Sequence, residues 1–580
     1  MITGNTFSLS SLFLIFFKGR IVNQKPINNY LSKINGIQKS EKIIPPIMKY
    51  RTLVIIILGV FIVAPSPGQN PAVERGMQSI TTDALKGQLG FLSSDWMEGR
   101  EAGEKGEYLA ADYIASMLRL YGIKPAGDNF DEKDPALKNA EKDRSYFQNF
   151  ILIKTSPGDE QVLKIKSSTD NLIKTTNLTY NLDFIFRPSD QPAEIEAPVV
   201  FAGYGYISDS LNYNDFKNLD VRGKYILKIA GFPKFINENL DNTKAASYQN
   251  AMESKYKAMG IIGVLEYEPD ATVVGRPERK AFMDMSPAEE FELQGRPHSR
   301  YSIPGKKSPD NLIKIQISVR TANEILNGSG IHPEDYIGKA DKNEKYEIPG
   351  LKGKSIYFKS SVKCTQIAVR NILGIIEGKN PDKYIVLGAH YDHIGAGNGY
   401  IWNGADDNGS GTVGVLTIAR AIKATGEKPE NSIIFAFWTA EEEGLLGSRY
   451  YVRNLPFPSS RIKLNMNFDM ISRYISEDET KKVTMTYTSS FPQFRDLTSA
   501  NLEKHHIDLD VDYQPSSNPP GGTDHRSFVE AGIPVIRFKP GHREEYHTPM
   551  DEIRTVDWDI MEKIIRISFA DAWELANKKW

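Results

Sequence analysis

Apolar runs and helical periodicity alternate along the chain from about residue 365 to the carboxyl terminus. Four runs, "YIVLGAH", "SIIFAFWTA", "KLNMNFDMI" and "IPVIRF", are nearly continuous in hydrophobic residues, which is typical of strands buried on both faces of a sheet. Between them, stretches such as "SGTVGVLTIARAIKATG" and "DIMEKIIRISFADAWELANKK" carry apolar residues at three- and four-residue spacing, as amphipathic helices do. The alternation predicts an α/β fold with a doubly wound, mainly parallel mixed sheet flanked by helices.

Two further helical patterns lie earlier in the chain, "TTDALKGQLGFLSSD" and "KGEYLAADYIASMLRLYGI". Gly122 is well placed to end the second helix. The polar stretch 126–147 predicts a surface loop. We predict one α/β domain, with residues 70–150 as its N-terminal helical part and residues 346–580 as the part that contains the central sheet.

Between these two parts the pattern changes to short β-rich runs, such as "FILIKT", "APVVFAGYGYI" and "LIKIQISV", with one helical stretch, "AASYQNAMESKYKAMG". A chain of 580 residues is too long for one hydrophobic core. Residues 151–345 are therefore predicted to form an inserted β-rich domain with its flanking strands. The pattern shows no cluster of chemically active residues there.

The N-terminus carries a targeting pattern. A short basic segment, 48–51, precedes about twelve apolar residues and then "APSPG", which predicts a signal peptide over residues 48–69 that is too short for a membrane span of about 20 residues. Residues 1–47 are then an upstream leader or a mis-assigned start. The chain is predicted to be exported to the periplasm or the exterior, with no stable span after cleavage. An uncleaved anchor built from either apolar run is the alternative.

Charge and cysteine content narrow the chemistry. The formal net charge is −2 and the pI about 6.6, so no global basic field indicates nucleic acid. Cys364 is the only cysteine. An intramolecular disulfide or a cysteine metal cluster is therefore excluded, no lipoprotein cysteine follows the signal peptide, and any metal site must use His, Asp and Glu.

Polar residues that suit a metal site follow the predicted strands. In a doubly wound sheet, ligands bind beyond the carboxyl ends of the strands. A lone histidine or a run of glutamates is usually structural or solvated, but several such groups at the ends of buried strands are much less probable by accident. The groups are His390 with Asp392, Asp406–Asp407, Glu441–Glu442–Glu443, Asp469, the loop "GTDHRSF" and His547.

This inventory suits two divalent ions. Neutral imidazole and carboxylate are good zinc ligands, and a shared ligand between ions about 3.5–4 Å apart must be a carboxylate. One histidine and one further carboxylate per ion complete the minimum set. Adjacent glutamates, Glu441 and Glu442, would divide the duties of base and ligand, because consecutive side chains point in different directions.

With these motifs the chain resembles the co-catalytic zinc exopeptidases, a family that includes secreted bacterial aminopeptidases, glutamate carboxypeptidase and transferrin receptor. "GAHYDH", "GADDNGSG", "TAEEEGLLGS", "NFDM", "GGTDHRSF" and "YHTPMD" are similar to the family's core motifs, in family order. "FLSSDWMEGREAGEKGEYLAADYIASMLRLYGIKPAGD" resembles the N-terminal segment of secreted bacterial members. "VVFAGYGYISDSLNYNDFKNLDVRGKYILKI" resembles the protease-associated domain that many members insert.

The resemblance implies two Zn²⁺ per chain and a role for each motif residue. His390 and Asp469 would hold one zinc, Glu442 and His547 the other, with Asp407 bridging both. Glu441 would be the general base, and Asp392 would orient His390. Asp406 is then a neighbour, and Glu443 has no assigned role. The implied function is a secreted metallo-aminopeptidase that hydrolyses N-terminal residues from peptides with a free N-terminus.

Several alternatives stay open. A carboxypeptidase of the same fold would need a cationic group for the substrate carboxylate, and Arg473, Arg526 or Arg537 would serve. A glutaminyl cyclase, which uses one zinc, and a noncatalytic receptor-like protein are the other two. His393, Asp524 and His525 lie within the motifs and are predicted to shape the site. The remaining histidines are predicted to be surface or structural: His298, His332, His505, His506 and His542.

Overall fold

The four apolar runs of the carboxyl-terminal part form neighbouring strands, as predicted. The structure is a computed structural model that describes residues 70–580 except 130–143, 170–171, 181, 187, 189–190, 210, 238–250, 270–298, 306–311, 345, 398, 542 and 544. The predictions for residues 1–69, including the signal peptide, lie outside the described residues.

The strands, in chain order, are β1 Lys124–Pro125, β2 Phe147–Thr169, β3 Leu172–Leu178, β4 Phe184–Phe186, β5 Ala193–Phe201, β6 Ile207–Ser208, β7 Tyr213–Asn214, β8 Tyr225–Ile229, β9 Gly263–Tyr267, β10 Arg300–Ser302, β11 Ile313–Ile317, β12 Lys354–Ile376, β13 Asn380–His390, β14 Gly395–Gly397, β15 Tyr400–Trp402, β16 Asn431–Trp438, β17 Ile462–Phe468, β18 Lys482–Thr488, β19 Asp510–Ser516 and β20 Val535–Lys539.

The helices are α1 Pro71–Ser79, α2 Thr82–Leu92, α3 Lys105–Leu120, α4 Lys234–Asn237, α5 Val319–Leu326, α6 Pro333–Ala340, α7 Gly411–Ala424, α8 Leu446–Arg453, α9 Gln493–Lys504, α10 His525–Glu530 and α11 Trp558–Ala576. Residues 251–258 are also helical. They are the described end of the helix predicted from "AASYQNAMESKYKAMG". No helix within the described ranges has the length and apolar character needed to cross a bilayer.

The central sheet has the strand order β19-β18-β20-β17-β13-β16-β12 in its core part. The strands β16, β13, β17 and β20 are parallel to their neighbours within this group, while β12 and β18 run antiparallel at its two sides. Every residue of β16 is buried, which is why its sequence is apolar without alternation. The predicted α/β class with a mainly parallel mixed sheet is confirmed.

Helices cover both faces of this sheet. On one face α1, α2, α3, α7 and α11 contribute to the largest hydrophobic cluster, which contains Leu89, Ile114, Leu416 and Ile565. On the other face α8 and α10 pack Tyr451 and Phe528 around a smaller cluster. This double cover leaves the carboxyl ends of the parallel strands as the place where polar side chains gather.

A long antiparallel pair of strands was not predicted. β2 and β12 pair from Phe147 with Ile372 to Ser167 with Lys354, with a register shift between Ser360 and Val362. The sequence indicated only the short run "FILIKT" in the first strand and nothing in the second. The middle of β12 is solvent-exposed and polar, so the hydrophobic signal that marks a buried strand is missing there.

A second hydrophobic core lies in the region predicted to be β-rich. There β5, β8, β9 and β11 run parallel, and β4 closes the edge antiparallel to β11. Their inward side chains form a separate cluster that includes Phe201, Leu227, Leu265 and Ile315. The predicted boundary at 150/151 falls inside β2. The domain limits and the likeness to a protease-associated domain stay predictions.

Candidate metal centre

The five residues predicted to bind metal converge beyond the carboxyl ends of the central strands. His390 is the last residue of β13, Asp469 directly follows β17, and Glu442 lies in the turn after β16. Asp407 lies in the tight turn Ala405–Ser410 before α7. His547 lies in the loop between β20 and α11. Five strand ends, turns and loops thus bring together residues that are up to 157 positions apart (390 to 547).

His390 faces the first group of carboxylates. Its Nε2 lies 3.3 Å from Asp407 Oδ1 and 3.8 Å from Asp469 Oδ1. Glu441 Oε2 is 3.9 Å from the same nitrogen. The His390, Asp407 and Asp469 side chains are buried, and each offers one ligand atom to a common point.

The second group forms around the other oxygen of Asp407. His547 Nε2 lies 3.0 Å from Asp407 Oδ2 and 3.1 Å from Glu442 Oε2. His393 Nδ1 lies 2.7 Å from Glu442 Oε1, a contact that the sequence did not predict. The two oxygens of Asp407 therefore point to two different histidines, as a bridging carboxylate requires.

The electrostatics of this cluster fit bound cations. Burial lowers the pKa of His390, but the charge of Glu441 and the hydrogen bonds with Asp392, Asp407 and Asp469 raise it well above the ordinary value. The pKa of His547 rises to about 10 because the charge of Glu442 and the contact with Asp407 outweigh burial. The closely spaced carboxylates thus favour positive charge at the site. Imidazole nitrogens and carboxylate oxygens are also ligands that suit zinc.

Asp392 contacts the turn that contains Glu441 and Glu442 as well as the ring of His390. Its carboxylate accepts the backbone N–H groups of Glu441 and Glu442 at 3.1 and 3.3 Å. His390 Nδ1 is 3.2 Å from the backbone carbonyl of Asp392 and 3.7 Å from its Oδ1. Asp392 is therefore placed to position both the predicted base and a predicted ligand.

Comparison with known families agrees with this geometry. Residues 371–570 match the model of Peptidase family M28. The match confirms the family resemblance inferred from the motifs, and it contains every residue predicted to act at the site. The β-rich region lies outside it.

Several curated relatives of the chain are aminopeptidases by name. Leucine aminopeptidase 2 of Trichophyton rubrum is 34% identical over 171 residues, which are 28% of this chain and 32% of the relative. Aminopeptidase Y of Saccharomyces cerevisiae is 29% identical over 221 residues, 35% of this chain and 38% of the relative. The chain spans only about a third of the length of the curated relatives it matches.

Solved structures share the fold over most of the chain. An aminopeptidase from Aneurinibacillus sp. strain AM-1 superposes with a TM-score of 0.53 at 18% identity, covering 87% of this chain and 95% of the other. BSAP, a zinc aminopeptidase from Bacillus subtilis, superposes with a TM-score of 0.51 at 21% identity, covering 86% and 95%. At these identities the likeness concerns the fold.

Asp551 is a residue of the M28 segment whose role the sequence did not predict. Its Oδ1 accepts the backbone N–H of Asp406 at 2.8 Å, and its Oδ2 accepts that of Asp407 at 2.9 Å. Its carbonyl oxygen accepts the N–H of Ala405 at 3.1 Å. Asp551 thus joins the loop of His547 to the turn of Asp407. The motif "YHTPMD" contained it, but no spacing rule indicated its partner.

The N-terminal helical part also reaches the site. The buried Arg100 donates to the carbonyl oxygens of Tyr391 and Asn403 at 2.8 and 2.7 Å and of Gly404 at 3.0 Å. Burial lowers its pKa to about 10 although nearby carboxylates raise it. Glu107 of α3 bonds to the hydroxyl of Thr439 beside the glutamate turn, and burial raises its pKa to about 8.

The other motif residues surround the cluster. Asp406 accepts the N–H and hydroxyl of Ser472 at 2.9 and 2.7 Å, so it faces away from the histidines, as the assignment of Asp407 requires. Asp524 is buried, and burial raises its pKa to about 7. His525 is buried and its Nε2 lies 2.7 Å from the carbonyl oxygen of Pro520.

Three of the remaining histidines lie away from the cluster. His332 and His506 are exposed and His505 is partly buried, in agreement with a surface or structural role. His298 and His542 lie outside the described residues. Glu443, adjacent to the predicted base and ligand, is partly exposed.

Proposed function

We propose that the chain is a secreted, zinc-dependent aminopeptidase that hydrolyses N-terminal residues from peptides. The observation that carries this proposal is the position of Asp407, whose two oxygens face His390 and His547 at 3.3 and 3.0 Å. Each histidine also faces a further carboxylate, from Asp469 or Glu442. The names of the M28 relatives, leucine aminopeptidase 2 and aminopeptidase Y, support the same activity.

The assignment of ligands follows from these contacts. His390 and Asp469 would hold one zinc ion, Glu442 and His547 the second, and Asp407 would bridge both. When bound, the two zinc ions would lower the pKa of a water molecule and polarise the scissile carbonyl group. The donor set contains one neutral nitrogen and one unshared carboxylate for each ion, which leaves coordination positions for water and substrate.

Glu441 is proposed as the general base. Its carboxylate lies beside the cluster, with Oε2 3.9 Å from His390 Nε2. Burial, opposed by His390 and reinforced by the charge of Asp524, raises the pKa of Glu441 well above the ordinary value. A carboxylate with a raised pKa takes a proton from water more readily and returns it to the leaving amine.

The direction of cleavage is tested with blocked peptides. An aminopeptidase cleaves a C-terminally amidated peptide and leaves an N-acetylated one intact, whereas a carboxypeptidase of the same fold does the opposite. A panel of aminoacyl p-nitroanilides with and without chelator completes the test. Hydrolysis that is lost with chelator and restored by Zn²⁺ supports the proposal. Fewer than one zinc per chain together with no peptidase activity supports the receptor-like alternative.

Export is the part of the proposal that rests on sequence alone. The signal-peptide pattern over residues 48–69 predicts a mature chain that begins near residue 70. N-terminal sequencing of the protein recovered from outside the cytoplasm tests this. A mature start before Met48 contradicts the assignment.

A further inference from the structure

Three polar side chains form a row across the small parallel sheet of the β-rich region. Lys228 of β8 is in register with Glu266 of β9, and Glu266 is in register with Gln316 of β11. Lys228 is buried in an otherwise apolar strand, and its Nζ bonds to the carboxylate of Glu266. Stability does not explain this pair, because apolar side chains in place of a buried ion pair often stabilise a fold equally well.

The row lines one side of a cavity of about 500 Å³. Four buried aromatic rings form much of the remaining wall: Phe186, Tyr206, Phe232 and Tyr256. The ring of Tyr256 comes from the helical residues 251–258, which cover this face of the sheet. The volume lies in the range of about 300–1,000 Å³ that is typical of small-molecule sites, as is a mainly apolar wall with a few polar groups.

Gly205 allows the wall to approach the row closely. Its φ is +66°, and a Cβ atom there would lie 2.6 Å from the hydroxyl oxygen of Tyr256 and 3.3 Å from Cδ and Cε of Lys228. The hydroxyl of Tyr256 donates to the carbonyl oxygen of Gly205 at 2.5 Å. The missing side chain therefore lets the stem of Lys228 and the ring of Tyr256 lie against the same piece of backbone.

Both signs of charge face the cavity. Besides the pair of Lys228 and Glu266, the charged residues Lys314 and Glu253 line it, and these two side chains pair at 2.6 Å. Glu253 Oε1 also lies 3.6 Å from Lys257 Nζ. A ligand that carries only a cation or only an anion would match one member of each pair and oppose the other. A ligand with both signs is favoured.

The pair of Lys228 and Glu266 keeps hydrogen-bonding capacity for such a ligand. An ammonium has three donors and a carboxylate about four acceptor sites, and the bond between the two side chains uses one of each. The side chain of Glu266 is 45% exposed. The buried Asp215 also interacts electrostatically with Lys228, but its own carboxylate already accepts three hydrogen bonds.

The spacing of the two charges favours an α-amino acid over a peptide. Lys228 and Glu266 contact each other directly, and an α-amino acid carries its ammonium and carboxylate on a single carbon atom. Its carboxylate can therefore face Lys228 while its ammonium faces Glu266. In a peptide the two terminal charges lie on different residues, whose Cα atoms are at least about 3.8 Å apart, so the same double match is lost.

We propose that this cavity binds a free α-amino acid with a large apolar side chain, with its carboxylate on Lys228, its ammonium on Glu266 and its side chain against the aromatic wall. The site goes beyond the proposed function and does not rest on it. The proposed reaction would release such amino acids from peptides and is therefore one source of the ligand.

Calorimetric titration of the full chain tests the ligand class. Metal is first removed with a chelator and dialysis, so that amino acids bound at the metal centre are not counted. The titration at about pH 6, where α-amino groups are protonated, compares L-phenylalanine with three analogues. L-phenylalaninamide keeps only the ammonium, N-acetyl-L-phenylalanine keeps only the carboxylate, and glycine lacks the side chain.

L-phenylalanine should bind at least about tenfold more tightly than each analogue, because each lacks either a charge-assisted hydrogen bond or the burial of an aromatic ring. If any analogue binds as tightly, or if L-phenylalanine does not bind, the cavity does not recognise an amino acid of this class and the inference is wrong. Peptidase activity is not measured, so failure of the proposed function leaves this result unchanged.

Substitutions test the position of the ligand. Glu266→Gln and Lys228→Met should each lower the affinity for L-phenylalanine at least about tenfold. Glu196→Gln is the matched control, because Glu196 of the neighbouring strand β5 pairs with Lys166 at 2.6 Å and is not among the described residues that line the cavity. It should bind as the wild type does.

Circular dichroism verifies that each variant is folded, and if one of the two cavity variants does not fold, the other decides. Unchanged affinity in a folded cavity variant would place the bound amino acid elsewhere and overturn the inference. An equal loss in Glu196→Gln would overturn it as well, because the effect would then not belong to the cavity.

Discussion

Both carboxylate oxygens of Asp551 are occupied by the backbone N–H groups of Asp406 and Asp407, at 2.8 and 2.9 Å. The second N–H group belongs to Asp407, whose carboxylate faces both His390 and His547. Asp551 also lies four residues after His547. One buried side chain therefore fixes the relative position of the proposed bridging ligand and a proposed terminal ligand.

Asp551→Asn is expected to weaken zinc binding. The amide keeps one acceptor but directs an N–H₂ group at one of the two backbone donors, so the turn of Asp407 must shift. Loss of such outer contacts lowers metal affinity by about 10–100-fold. Zinc affinity is measured by competition with a chromogenic chelator.

The matched control is Asp571→Asn. Asp571 is also a buried carboxylate with two donors, Thr498 and Asn501 at 2.6 and 2.8 Å, but it lies on α11 away from the cluster. Its variant should retain wild-type zinc affinity. An equal affinity for the wild type and Asp551→Asn would show that Asp551 does not position Asp407.

His393 is expected to hold Glu442 in place. Its ring is buried and its Nδ1 lies 2.7 Å from Glu442 Oε1. Asparagine places an amide nitrogen near the position of Nδ1, whereas leucine fills similar space without a donor. His393→Asn should therefore keep most of the second zinc ion and His393→Leu should lose it. Zinc content per folded chain, measured by elemental analysis, distinguishes this from a ligand role, in which both variants would lose the ion.

Glu441→Gln is expected to remove turnover while leaving metal and fold intact. The amide is isosteric but cannot take a proton, and general-base catalysis contributes about 10²–10⁴-fold to the rate. Glu443→Gln is the natural control, because it changes the charge two residues along without touching the proposed base. Turnover of the chelator-sensitive substrate and zinc content are measured together. Near wild-type turnover in Glu441→Gln would assign the base elsewhere.

Asp571 should make the stability of the protein depend on pH. Burial raises its pKa in the folded state to about 7, although Asn501 and Thr498 lower it. Between about pH 4, where an unfolded aspartate loses its proton, and about pH 7 the folded state binds more protons than the unfolded state. The free energy of unfolding therefore falls as pH rises through this window, on the order of 4 kcal/mol from this residue.

Asp571→Asn removes that contribution. The free energy of unfolding of the variant minus that of the wild type should therefore be larger at pH 8 than at pH 5. Urea unfolding of both proteins at the two pH values measures this difference. Comparing the two proteins at each pH cancels the titration of all other groups. A constant difference between them would show that Asp571 has an ordinary pKa in the folded protein.

Some elements escaped prediction for identifiable reasons. The exposed, polar middle of β12 carries no hydrophobic run, and β18 and β19 alternate with partly exposed residues at the margin of the sheet. His393 and Asp551 lay inside quoted motifs, but their partners Glu442 and Asp407 are 49 and 144 residues away. No local pattern encodes such a pairing.

The sequence by itself predicted the four central strands, several of the helices that cover them and the candidate residues of the site. Strands buried on both faces must be nearly continuous in apolar residues, and a polar residue that ends such a run must lie at the edge where ligands bind. Only the tertiary structure decided which oxygen of Asp407 faces which histidine and that Asp551 holds the backbone of Asp407. These depend on distances between side chains from separate loops, which are set by packing rather than by any local pattern.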